Sequence, residues 1–123
     1  MEIRRVSDDE YESFLQETEY AVILFDAPWD VGPGALIRPR FEKAARAFHG
    51  RVNFGEVDCD GAARAARSLG LANVPTVAYY KGGRLLAALV GARQNVAART
   101  RAILDGRRIG RRDGWDVDDE AEP

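Results

Sequence analysis

The chain has 123 residues, 46% of them hydrophobic, with 18 basic against 20 acidic side chains and a net charge of −2. That length holds one ordinary domain and not two, and arginines interleaved with carboxylates exclude the basic stripe of a nucleic-acid surface. The single cysteine, Cys59, excludes an internal disulfide, and no apolar run approaches the ~20 residues of a membrane span.

In chain order, Glu2–Val6 reads as an extended lead-in; Met1–Arg5 run into polar, acidic sequence with none of the pattern of a signal peptide. Ser7 and Glu10 have capping-box spacing, and Tyr11, Phe14 and Leu15 recur at helical period, predicting a helix over Asp8–Thr18. The continuous apolar run Tyr20–Phe25 predicts a strand covered on both faces. Asp26–Gly34 is turn chemistry, with Pro28, Gly32, Pro33 and Gly34 close together. A helix follows over Ala35–Phe48, kinked or interrupted in its first turn by Pro39 and stopped at Gly50. Val52–Val57 is a second strand and Gly61–Leu69 a short alanine-rich helix. Thr76–Tyr80 and Arg84–Val90 are strands joined by the Gly82-Gly83 hairpin turn, and Gln94–Leu104 is the last helix. From Gly106 the arginines and carboxylates segregate into blocks, predicting a disordered tail over residues 106–123 in which Trp115 is the one candidate for docking. The order β-α-β-α-β-α-β-β-α implies an α/β domain over residues 1–105, a central mixed sheet flanked by helices on both faces.

Four stretches make this chain resemble the thioredoxin family. They are Phe25-Asp-Ala-Pro-Trp29 leading to Gly32-Pro33 and the helix proline Pro39; Val57-Asp-Cys-Asp60; Val74-Pro75-Thr76; and Lys81-Gly-Gly83 followed by Val90-Gly91-Ala92. The resemblance spans about residues 3 to 105 and implies the thioredoxin fold, with a cis bond before Pro75. Where the family carries Trp-Cys-Gly-Pro-Cys, this chain reads Trp29-Asp30-Val31-Gly32-Pro33-Gly34. Gly34 stands in place of the second cysteine, and either Asp30 or Val31 in place of the first. The family's lysine on the neighbouring strand corresponds to Glu56; the same one-residue offset leaves open whether Asp26 matches the family's buried acid.

Dithiol exchange needs an attacking and a resolving thiol, and one cysteine per chain cannot supply both. The resemblance leaves a groove implied for binding an extended polypeptide: Trp29, Asp30, Val31, Gly32 and Pro33 from the motif turn, Val74 and Pro75 from the proline loop, Gly91 and Ala92 from the last loop. Backbone groups at such a groove recognise a peptide without sulfur. The expected function is therefore that of a redox-inactive binding module, a chaperone, scaffold or assembly factor, with another polypeptide as partner. The alternative is an enzyme using Cys59 as a lone thiol, for instance in glutathione-linked chemistry; against it, free cysteines most often pack as small buried hydrophobes. The lone histidine, His49, reads as an exposed residue at a helix end, and no clustered ligands or phosphate loop call for a metal or cofactor. The expectation is a cytoplasmic protein with no nucleic-acid or membrane partner.

Overall fold

The apolar run at Tyr20–Asp26 forms strand β2 at the middle of the sheet, because it offers a side chain to each covered face. The computed structural model describes residues 3–27, 33–70 and 74–109. Around β2 stand β1 (Ile3–Arg5), α1 (Tyr11–Gln16), α2 (Pro33–Phe48), β3 (Val52–Asp58), α3 (Ala63–Ser68), β4 (Thr76–Lys81), β5 (Arg84–Val90) and α4 (Val96–Leu104). The strands lie in the order β1-β3-β2-β4-β5. β3 runs parallel to β1 and β2, whereas β4 is antiparallel to β2 and β5. This is the expected mixed sheet.

Alternation along β2 divides the interior in two. Val22 and Leu24 join Ile37, Phe41 and Phe48 of α2 and Val96 and Ile103 of α4 in one cluster. Ala21, Ile23 and Phe25 join Tyr11, Phe14 and Leu15 of α1 and Ala65 of α3 in the other. The helices thus cover both faces.

Element ends differ from expectation for local reasons. α1 begins at Tyr11 rather than Asp8, because both the backbone N–H (3.2 Å) and the hydroxyl (3.0 Å) of Ser7 donate to Glu10 Oε1. The hydroxyl thus donates to the carboxylate, and no capping bond is made to a helix N–H. α2 starts at Pro33, where a missing N–H costs no bond, and continues through Pro39 to Phe48. α4 starts at Val96 because Asn95 is its N-cap, its side chain accepting from Ala98 N–H at 2.9 Å. Its far end closes in a Schellman turn: Gly106 N–H donates to Ile103 O (3.0 Å) and Arg107 N–H to Ala102 O (2.9 Å), with Gly106 at φ +77°. Ile109 packs against the α2/α4 cluster; of the expected tail, residues 110–123, Trp115 among them, lie outside the described residues.

Candidate functional site at one end of the sheet

Strand register gathers the candidate loops. Thr76, first residue of β4, pairs with Phe25 near the end of β2 on one side and with Val90, last residue of β5, on the other. Asp26 pairs with Asp58 at the ends of β2 and β3. The end of β2, the β3–α3 turn with Cys59, the Val74–Pro75 step and Gly91–Ala92 therefore all leave the sheet at one end. Trp29, Asp30, Val31 and Gly32 lie outside the described residues, as does any side-chain account of Pro33, whose backbone opens α2.

The Val74–Pro75 peptide bond is cis. Pro75 O accepts from Gly91 N–H at 3.1 Å, tying the proline loop to the last loop. Val74 is half-buried, and among the described residues its backbone N–H and C=O have no hydrogen-bond partner. Gly91 has φ +137°, a conformation that side chains rarely tolerate.

A buried polar group braces this loop from beneath. Gln94, 3% exposed, donates through Nε2 to Leu89 O (2.8 Å) and Gly91 O (3.0 Å). Its Oε1 accepts from Tyr79 OH (3.2 Å) and from Arg99 Nη1 (3.1 Å), and Arg99 is 2% exposed. Sequence reading took Gln94 as the first residue of a helix and passed over Arg99. The signal was present: Val96, Arg99, Thr100 and Ile103 share one helical face, and the rest of that face is buried.

The acidic groups of this end divide by role. Asp26 is half-buried and accepts from Ala27 N–H at 2.8 Å. It shares the α2-facing side of β2 with Val22 and Leu24. Glu56, on the same face of β3, is held by Arg38 of α2 at 2.6 Å and by Arg5 at 3.6 Å. The hydrogen bond to Glu56 in turn raises the Arg38 pKa. At the position matched to the family's lysine there is thus an ion-paired carboxylate.

Cys59 is half-buried against the α1/α3 cluster, and its N–H donates to Asp26 O at 2.9 Å. Burial, and then the charges of Asp26, Asp58 and Asp60, push its thiol up to about 11. A reactive thiolate requires the reverse surroundings, positive and partly open. His49 is exposed past the end of α2, and the described residues contain no group of His, Cys, Asp and Glu side chains able to hold a metal. No helix among them is long and apolar enough to cross a membrane.

The thioredoxin family model matches residues 2–102, over four-fifths of the chain. The chain belongs to the thioredoxin family. Among curated relatives, it is 32% identical over 93 residues to Thioredoxin M4, chloroplastic, of Arabidopsis thaliana, covering 75% of this chain and 48% of that protein. It is 29% identical to the thioredoxin of Haemophilus influenzae, covering 74% of this chain and 85% of the relative. The chain thus spans about half the length of the chloroplastic relatives it matches, 48% and 50% in two cases. Of solved structures, the thioredoxin of Malassezia sympodialis superposes with a TM-score of 0.71 at 26% identity, over 86% of this chain and 90% of that one. Mitochondrial thioredoxin 3 of Saccharomyces cerevisiae superposes with a TM-score of 0.71 at 27% identity, over 84% and 94%. The thioredoxin assignment accounts for the mixed sheet and for the loops at its candidate end; the motif turn itself carries no cysteine.

Proposed function

We propose that this thioredoxin-family chain is a polypeptide-binding module, a chaperone, scaffold or assembly factor working in the cytoplasm, which holds an extended segment of a partner and carries out no dithiol exchange. The observation that carries the reading is the Val74 backbone. An N–H and a C=O without partners among the described residues, on a half-buried residue, offer both bonds of a strand-addition contact. Unmade backbone bonds that are removed from water cost on the order of 1–3 kcal/mol each, so a peptide supplying both partners gains what solvent otherwise provides. Gly91, tied to Pro75 O and braced by Gln94, stands beside the Val74–Pro75 step.

The lone-thiol alternative has less support. Cys59 lies among three aspartates with its thiol pushed up to about 11, which disfavours the nucleophilic form. No base or cation among the described residues is bonded to it.

Two measurements test the proposal together. Titration of the 15N-labelled protein with an arrayed set of extended peptides is expected to move the amides of Val74, Thr76, Gly91 and Ala92 first. In parallel, insulin reduction by dithiothreitol should proceed at its uncatalysed rate in the presence of the protein. Amide shifts confined to other surfaces would overturn the groove, and turnover above background would overturn the redox-inactive reading.

A further inference from the structure

At the opposite end of the sheet, away from Val74 and Gly91, the β4–β5 hairpin and the chain beyond α4 line a pocket of about 550 Å3. Its apolar members include Leu85 and Leu86, which are 41% and 39% exposed, and Ile109. The exposure has a structural cause. Tyr79 pairs with Ala87 but Tyr80 pairs with Leu85, so Leu86 is the extra residue of a bulge on the edge strand. The cationic members include Arg84, Arg107 and Arg108. Arg107 lies 3.7 Å from Asp105, whereas Arg84 and Arg108 have no carboxylate partner among the described residues. An apolar slot on an open sheet edge is thus bordered by surplus positive charge.

The sequence running out of this pocket has the complementary chemistry. Ile109 is itself a lining residue; past Arg111 and Arg112 come Trp115 and Val117 set among Asp113, Asp116, Asp118, Asp119, Glu120 and Glu122. The segment is thus acidic on balance, its carboxylates concentrated around and beyond the indole. The six residues from Ile109 to Trp115 reach about 20 Å when extended, ample to return an indole to the pocket. Tethering by so short a link gives an effective concentration on the order of millimolar, so a weak contact suffices.

We propose that the acidic segment 110–123 docks in this pocket of its own chain, Trp115 covering Leu85 and Leu86 while its neighbouring carboxylates pair with Arg84 and Arg108. Docking removes the exposed leucines from water and shields an edge strand that would otherwise be open to pairing with other chains. The inference is independent of the proposed peptide groove, which lies at the other end of the sheet.

Replacing the other tryptophan, Trp29→Phe, leaves Trp115 as the only indole. Acrylamide quenching of its fluorescence in the full chain at low salt is then compared with that of a synthetic 106–123 peptide. Quenching several-fold weaker in the full chain is expected, rising toward the peptide value in an Arg84→Glu, Arg108→Glu variant. Adding Asp116→Arg and Asp118→Arg to that variant should restore protection. Both arginines are exposed, and an unchanged far-ultraviolet circular dichroism spectrum verifies that their reversal leaves the fold intact. Trp115 quenched as readily in the full chain as in the peptide overturns the proposal, as does protection indifferent to the charge reversals. Protection that grows with protein concentration also overturns it, in favour of a tail exchanged between copies.

Discussion

Two residues show how their surroundings, and not their type, set behaviour. Cys59 is the only thiol, yet burial and three aspartates hold it protonated. With its thiol at about 11 rather than near the ~8.5 of a free cysteine, alkylation of the native protein at pH 8 should be on the order of 10²-fold slower than that of a model thiol. The rate should keep climbing past pH 10; a plateau near pH 8.5 would show that the aspartates do not act on the sulfur. Gly55 lies in β3 beneath the α1 cluster, where an added Cβ would sit 2.8 Å from Phe14 Cζ and 2.9 Å from Val6 Cγ2. Both neighbours are buried, so neither yields without disturbing the core. In open space Gly→Ala gains chain entropy, but overpacking dominates here, and Gly55→Ala should destabilise by about 1–3 kcal/mol in urea unfolding. An unchanged or higher midpoint would mean that Phe14 moves freely.

Among elements, α3 illustrates a boundary that sequence could not supply. It is six residues long, and its own N-cap, Ala62, has no side chain able to cap. Asp8, from the turn before α1, does the capping from more than fifty residues away, accepting from Ala65 N–H (2.8 Å) and Arg64 N–H (3.3 Å). The Ala65 bond is the main cause that lowers the Asp8 pKa below its ordinary 3.8, with Arg64 adding to it. A carboxylate with a depressed folded pKa stabilises the fold above its unfolded pKa, and that contribution is lost as pH falls through the folded value. Asp8→Ala should therefore lower stability by a constant amount at neutral and mildly acidic pH. The gap to the parent should close below about pH 4, as followed by urea unfolding across a pH series. A gap independent of pH down to 2 would assign the loss to packing. By contrast, the bounds of β5 and the C-terminal ends of α2 and α4 were legible, since Gly50, Gly82, Gly83 and Gly106 mark sharp local stops with positive φ.

At the scale of the whole molecule, β2 is hydrogen-bonded to β3 and β4 and covered on both faces, whereas β5 is an edge with exposed leucines. Native-state hydrogen exchange should give β2 amides the full unfolding free energy and β5 amides lower, locally governed values. Equal protection in β5 would show that this edge strand opens only when the whole sheet unfolds. The sequence by itself determined the element order, the mixed sheet and the missing cysteine pair. Apolar period, turn residues and composition act over a few neighbours and are read without coordinates. Only the tertiary structure decided that Gln94 and Arg99 brace Gly91, that Arg38 holds Glu56, that Asp8 caps α3 and that Ile109 packs against the α2/α4 cluster. Each of these joins groups whose meeting depends on how the sheet and helices pack, which no local pattern encodes. The same packing sets Cys59 as a half-buried thiol among carboxylates, because desolvation and charge are properties of the assembled surroundings.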